Sequence, residues 1–335
     1  MREEGNFSNG LCHFLSSLYK IPSGFISTNA VVPPKFLATP NCSKQEAIIA
    51  RTQHPAFGYF EPRQEYFDAI LRWQAQQNQV TGLLPEHIGY ENGVLGGVVS
   101  ALNVLCSRGD NVLVHAPTYV GFTHSLENNG YNIVHSPLAL DEKGVWRMDF
   151  ADMERKIVEN GIHTTIFCSP HNPTGRVWER WELETAMELF RKYDVYVISD
   201  EIWSDLLLFG NIHIPTQSIS PDARMRTIAL YSPSKTFNLA GLAMTNVVIC
   251  DPDLKPKETE FYGMPTPFGI QAVISAYTKG DAWVDALNEY CEENIDVCID
   301  YIHKHLPKAK VIRPEGGYSI NIDFSGYGLS DDEEV

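Results

Sequence analysis

The sequence predicts an α/β protein built on a mostly parallel sheet with helices on both faces. Three observations lead there. Short, β-branched, nearly all-apolar runs alternate with longer amphipathic stretches along most of the chain, and strands that are apolar on both sides need cover on both sides. Polar residues able to do chemistry, Tyr119, Asn172, Asp200 and Lys235, follow directly on such runs; in open α/β sheets ligands collect beyond the carboxyl ends of the strands. No internal repeat or low-complexity linker breaks the alternation.

In chain order, a glycine-rich turn, Asn92-Gly93-Val94-Leu95-Gly96-Gly97, precedes a helical run over 98–105. Residues 111–115 read as a strand entering Ala116-Pro117-Thr118-Tyr119, and 131–135 read as the next strand. Residues 164–168 form a strand that stops at Ser169-Pro170. Residues 179–193 have helical spacing, which places Trp181, Ala186, Leu189 and Phe190 on a buried side. Strands over 195–199, 227–231 and 246–250 follow. Near the end, Gly316-Gly317-Tyr318 reads as a turn entering a strand that runs to Phe324. The first 40 residues, with Pro22, Pro33, Pro34 and Pro40, have weak periodicity.

The 335 residues correspond to roughly two domains. A hydrophobic content of 44% argues against a disordered, collagenous or disulfide-stapled chain. The net charge of −16 makes nucleic acid a poor partner, because phosphate backbones would be repelled. No run reaches the ~18 apolar residues of a membrane span, and Met1-Arg2-Glu3-Glu4 lacks the basic start of a secretory signal. Seven scattered cysteines without a Cys-x-x-Cys point to a reducing, cytoplasmic compartment. Cys291 and Cys298 lie on one face of a helix and are expected in the core. The acidic end of the chain, from Ser330 to Val335, reads as a solvated tail.

The strongest signal is a series of three motifs, each after a strand. Ser169-Pro170-His171-Asn172-Pro173-Thr174-Gly175 comes first, Asp200-Glu201-Ile202 second and Tyr231-Ser232-Pro233-Ser234-Lys235 third. Singly they are a common turn, a capping acid and a solvated loop. In this order and context they are specific together.

The set resembles the fold-type-I pyridoxal-phosphate enzymes, the aspartate aminotransferase superfamily. Asn172-Pro173-Thr174-Gly175-Arg176-Val177-Trp178, Asp200-Glu201-Ile202-Trp203-Ser204-Asp205-Leu206 and Ser234-Lys235-Thr236-Phe237-Asn238 are similar to the MalY/PatB-type cystathionine β-lyases, a carbon–sulfur lyase branch of the class I/II aminotransferases. Phe57-Gly58-Tyr59 and Gly144-Val145-Trp146-Arg147-Met148-Asp149-Phe150 fit the same branch, so the resemblance runs from about Gln45 to about Ser325. It implies a large domain over 45–280 with a mostly parallel, seven-stranded-type sheet between helices. Residues 1–44 would belong to the small domain or an arm, and 281–335 to a smaller α+β domain.

The resemblance also implies roles. Lys235 would hold the aldehyde of pyridoxal 5'-phosphate and move the substrate's α-proton. Asp200 would keep the ring nitrogen protonated. Asn172 would hydrogen-bond the phenolic oxygen, Tyr119 would stack on the ring and Ile202 would adjoin it. The phosphate would take the amides of Val94 and Leu95 and the hydroxyls of Ser232 and Ser234, with Gly93 permitting the tight approach. Tyr59 would reach the phosphate of the neighbouring subunit in a homodimer. The implied activity is β-elimination on an L-cystathionine- or L-cysteine-type amino acid, giving pyruvate, ammonia and a thiol. An aminotransferase, or a cofactor-binding protein with impaired turnover, is the alternative.

Two departures accompany the resemblance. Residues 26–40 do not match the branch's Asp-Met-Asp-Phe-like segment. The arginine that grips the substrate carboxylate in the family lies beyond the position of Val335, and Arg313 does not match it, so the small domain is expected to be incomplete. No metal site is expected; His171 and His213 read as turn or packing residues, and Trp203 as a pocket-lining or a packing residue.

Overall fold

The computed structural model describes residues 62–328, apart from 256 and 258–263. The elements are α1 (Gln64–Gln77), β1 (Ile88–Asn92), α2 (Val94–Leu105), β2 (Asn111–Ala116), α3 (Val120–Asn129), β3 (Asn132–Leu140), β4 (Trp146–Met148), α4 (Phe150–Asn160) and β5 (Thr164–Cys168). There follow α5 (Arg180–Lys192), β6 (Tyr196–Asp200), α6 (Pro221–Arg226), β7 (Thr227–Tyr231), β8 (Met244–Ile249), α7 (Pro267–Lys279), α8 (Asp281–His305), β9 (Lys310–Ile312) and β10 (Asn321–Asp323). None of the described helices is long and apolar enough to cross a membrane.

The main sheet has eight strands in the order β1-β8-β7-β6-β5-β2-β3-β4. Strands β7, β6, β5, β2 and β3 are parallel, while β8 and β4 run against their neighbours. The strand beyond the expected seven is β4, which pairs only with β3 across a short hairpin closed by Gly144 N–H donating to Asp141 O (2.9 Å). Because β8 is antiparallel to both β7 and β1, the carboxyl ends of β1, β5, β6 and β7 share one edge.

Side chains separate by the two-residue period of the strands. Val112, Val114, Ile166, Cys168, Ile198, Ile228, Leu230, Val247 and Ile249 face Val98, Ala101 and Leu102 of α2 and Phe122 and Leu126 of α3. Leu113, Phe167 and Val197 face the opposite way, onto Met153 and Ile157 of α4 and Leu183, Ala186, Met187 and Phe190 of α5. Those α5 positions recur at the i, i+3, i+4, i+7 spacing of one helix face. Trp181 departs from the expected buried side: it is 48% exposed. Two residues from Leu183 it lies across the helix, where its indole N–H donates to Glu179 Oε2 (2.7 Å).

Helix ends follow capping chemistry. Asp149 accepts from Asp152 N–H at the start of α4, and Gly161 closes that helix in the left-handed region. Ser220 and Thr266 cap α6 and α7. Helix α2 begins at Val94, earlier than the apolar run suggests, so Gly96 and Gly97 are helical. The sheet requires this of Gly97: a Cβ there would sit 2.9 Å from Leu230 Cδ2. Cys291 of α8 is buried and Cys298 partly so, on the packed side of that helix.

The chain beyond α8 forms a two-stranded antiparallel sheet, β9 with β10, over a small cluster of Ile302, Leu306 and Ala309. Between those strands it returns to the main sheet. Glu315 and Gly316 donate N–H groups to Gly175 O (2.8 and 2.9 Å), and Gly317 donates to Leu206 O (2.8 Å). Arg176, buried, pairs with Glu315 of this segment and with Glu182 of α5 (2.6 Å).

The carboxyl end of β6 is held by Glu201, which is fully buried. Its Oε2 accepts from Tyr231 Oη–H (2.7 Å) and meets His213 Nε2 at 2.8 Å. Its Oε1 accepts from Ser199 Oγ–H (2.9 Å) and Thr216 N–H (3.0 Å). Burial alone would raise this carboxyl, but the His213, Tyr231 and Thr216 bonds hold it below its ordinary range. Its stabilisation is therefore present at neutral pH and lost as pH falls below the ordinary carboxylate range. Glu201→Ala would strand several buried donors, and the urea midpoint at pH 7 is expected to fall by the equivalent of about 3–5 kcal/mol.

Candidate active site

The shared strand edge brings the motif residues together. Beyond β5 the chain turns through Ser169 to Gly175, where Gly175 N–H donates to His171 O (2.8 Å) and His171 Nδ1 meets Thr174 Oγ1 at 2.8 Å. This compact turn carries Asn172, whose N–H points at Cys168 Sγ (3.4 Å). Cys168 is the register partner of Asp200 across β5 and β6, so Asn172 and Asp200 are brought to adjoining strand ends.

Asp200 is 4% exposed. Its Oδ1 accepts from Ile202 N–H (3.1 Å). Burial pushes its carboxyl up to about 7, with the Ile202 amide and the charge of Lys235 pulling the other way. Lys235 follows β7 in a turn closed by Phe237 N–H to Pro233 O (2.9 Å). Its neighbour Thr236 donates to Asp205 Oδ2 (2.8 Å), and Asp205 Oδ1 accepts from Trp73 Nε1–H (3.0 Å). Lys235 is half-buried, and burial lowers its amine against the opposing pull of Asp200. Its Nζ stands 5.3 Å from the centroid of the Trp203 ring.

Trp203 is buried and does both things open to it. It packs edge-on against Tyr318 (4.8 Å, 79°) and lines a narrow cleft with His171, Asn172, Pro173, Gly317 and Ser319. His213 lies in the Glu201 network. No described group of three His, Cys, Asp or Glu residues is placed to hold a metal ion.

The anion-binding side is built from α2. Gly93 caps that helix with φ +82°, and its N–H donates to Ala243 O (3.0 Å). The next residue, Met244, accepts at its carbonyl from Ser232 Oγ–H (2.6 Å), and Ser232 Oγ meets Ser234 Oγ at 2.7 Å. The two serines and the helix start therefore sit side by side. The first intrahelical bond runs from Gly97 N–H to Gly93 O, which leaves the amides of Val94 and Leu95 outside the helical ladder. Ile202 packs against the same core as Val94.

Tyr119 lies at the start of α3, one-third exposed, with its ring edge-on to Phe122 (5.5 Å, 86°). A Cβ on Gly121 would overlap that ring and come 3.0 Å from Leu95 Cδ1, so Tyr119 stands beside the first turn of α2. Tyr59 lies outside the described residues. Arg313 pairs with Asp296 and covers the Phe209 ring at 4.4 Å.

Sequence reading missed four contributors. Glu201, Asp205 and Tyr231 stood within the quoted strings, but their buried partners come from distant segments. Gly121 had no signal beyond being a glycine close to Tyr119. A carboxylate directly after an all-apolar strand was the available hint for Glu201.

This donor set suits pyridoxal phosphate: a lysine amine lowered by burial, an under-bonded buried carboxyl, an amide and a hydroxyl-lined helix start. The family model for class I and II aminotransferases matches residues 29–331. The chain is 38% identical over 293 residues to cystathionine beta-lyase PatB of Bacillus subtilis, covering 86% of this chain and 75% of that one. Its structure superposes on a PLP-bound C–S lyase from Staphylococcus hominis with TM-score 0.81 and 33% identity, covering 87% and 74% of the two chains. For cystalysin of Treponema denticola, whose structure contains pyridoxal 5'-phosphate, the TM-score is 0.84 at 29% identity, with coverage of 88% and 75%. With nearly the whole described fold and its motif series accounted for, the chain belongs to the class I and II aminotransferase family.

Proposed function

We propose that this protein is a pyridoxal-phosphate-dependent carbon–sulfur β-lyase that cleaves L-cystathionine- or L-cysteine-type amino acids to pyruvate, ammonia and a thiol. The observation that carries the reading is that Asp200, at the end of β6, and Lys235, in the turn after β7, are both drawn out of solvent within range of each other's charge. Similarity to PatB and to the C–S lyase structures supports the bond that is broken. When bound, the cofactor supplies a protonated ring that accepts the electron pair released at the substrate's Cα.

The protein's residues supply the rest. Asp200, charged opposite a ring N–H⁺, holds that proton in place. Asn172 donates to the phenolic oxygen, and Tyr119 supports the ring face. Val94 and Leu95 would offer amides and Ser232 and Ser234 hydroxyls to the phosphate, with Gly93 permitting its close approach and Ile202 adjoining the ring. Lys235 Nζ would anchor the aldehyde and would serve as the base that takes the proton from Cα. The thiolate then leaves from Cβ, and the three-carbon remainder hydrolyses to pyruvate and ammonia. Trp203, backed by Tyr318, would cover one side of Lys235.

The reading extends to a cytoplasmic homodimer in which Tyr59 contributes to the neighbouring phosphate site. It divides the chain into 1–44, a large domain over 45–280 and a smaller one over 281–335. Amino-group transfer is the second reading, favoured by the 34% identity to a PLP-bound putative aminotransferase from Clostridium difficile.

Incubation with L-cystathionine is expected to release pyruvate and a thiol in equal amounts; 2-oxoacid-dependent amino exchange without pyruvate would replace the lyase by the transferase. Lys235→Ala is expected to abolish the visible absorbance of lysine-linked cofactor and to lower turnover by about 10²–10⁴-fold or more. Persistence of that absorbance would refute the assignment. Asp200 has its folded pKa raised, so it costs stability increasingly as pH climbs from about 4 to about 7. Cofactor-free Asp200→Asn is therefore expected to melt higher than wild type above pH 7, by the equivalent of roughly 1–4 kcal/mol, and to match it near pH 4. The same variant should lose most turnover.

A further inference from the structure

A second buried carboxyl lies under the phosphate side of the site. Glu91 is in β1, two residues before Gly93, and is 3% exposed. It pairs with Thr245 across β1 and β8, so both side chains point to the same face. That face is covered by α2: Glu91 Oε2 lies 3.5 Å from where a Cβ on Gly96 would stand, and Glu91 Cβ lies 3.6 Å from one on Gly97. Oε2 accepts from Asn92 N–H (3.2 Å), and the Ser100 hydroxyl lies near enough to the carboxyl to favour its charged form. Among the described residues Oε1 has no hydrogen-bond partner, and neither has the hydroxyl of Thr245. The groups around it are Gly96, Gly97 and Ser100 from α2, Thr245 from β8, Leu230 from β7, and Tyr90 as the titratable neighbour on its own strand. None is a cation.

An ionised Glu91 would draw on the same helix start that receives a phosphate dianion. Two anions placed beside one helix start repel each other, and the buried one is relieved by taking a proton. Burial already holds this carboxyl above its usual range. We propose that Glu91 carries a proton whenever the first turn of α2 holds phosphate, so that cofactor capture takes up a proton at Glu91 and weakens as pH rises. The proton passes from solvent to the carboxylate, a step separate from the anchoring of the aldehyde at Lys235, which both test compounds share. The inference rests on the phosphate-cradle reading of α2 given above.

The test titrates cofactor-free wild type and Glu91→Gln with pyridoxal 5'-phosphate from pH 7 to 9, and in parallel with pyridoxal, which lacks the phosphate. In wild type the affinity for the phosphorylated form is expected to fall up to about tenfold per pH unit more steeply than in Glu91→Gln, the slope of one linked proton. The pyridoxal series of the two proteins should run parallel. An indicator dye in weakly buffered solution should register more proton uptake on cofactor addition in wild type than in the variant. Equal slopes in both proteins, or the same difference with pyridoxal, would overturn the inference. Should the variant fail to fold, wild type alone decides: equal pH slopes for pyridoxal 5'-phosphate and pyridoxal overturn it. No binding of either compound by wild type at any pH would overturn the cofactor reading itself.

Discussion

Asp200 and Glu201 are adjacent acids buried at the end of one strand, and the site depends on the different ways the fold meets their charges. Glu201 is saturated by His213, Tyr231, Ser199 and the backbone of Thr216. Asp200 receives the Ile202 amide and looks toward Lys235. The saturated carboxylate is structural: it ties β7 and the 213–216 loop to the end of β6, where a mobile strand end would let Asp200 drift. The under-bonded one keeps interaction capacity in reserve for a ligand. Alternation of strand side chains makes the division possible, because successive residues leave the sheet on opposite faces.

That reserve costs stability. A buried carboxyl without a full set of donors favours its neutral form and weakens the folded state at neutral pH. Asp200 and Glu91 both fit this description. Ligand binding returns part of that free energy through mass action. A cofactor-free chain less stable than its loaded form follows from the same groups that make the site chemically useful.

The segment 314–319 shows a different constraint. It crosses the turn that carries Asn172 and is held by backbone bonds to Gly175 and Leu206 and by Asn321 Nδ2–H donating to Pro173 O (2.8 Å). A side chain at Gly175 would strike Pro314, so the glycine in this turn serves the later crossing as much as its own positive φ. Arg176, one residue on, completes the junction through Glu182 and Glu315. Breaking such a buried pair on one side costs far more than the intact pair contributes, so the junction specifies this packing more than it strengthens it.

Much of the sheet was legible because buried parallel strands are apolar on both faces: residues 164–168, 195–199 and 227–231 announce themselves by composition. Strand β1 was not, since Tyr90 and Glu91 interrupt its apolar character, and β4 is too short for any period to register. Trp181 was misplaced because a large apolar side chain near a helix start carries no mark of which side of the helix the sheet covers. The sequence by itself determined the order and type of the chemical groups, Asn172, Asp200, Ser232, Ser234 and Lys235, because each follows a strand whose pattern is local. Only the tertiary structure decided which acid would be saturated and which left reactive, why Gly97 and Gly121 are glycines, and that Glu91 has an oxygen without a partner. Those outcomes depend on hydrogen bonds and close approaches between segments far apart in the chain, and no local pattern encodes the distance between them.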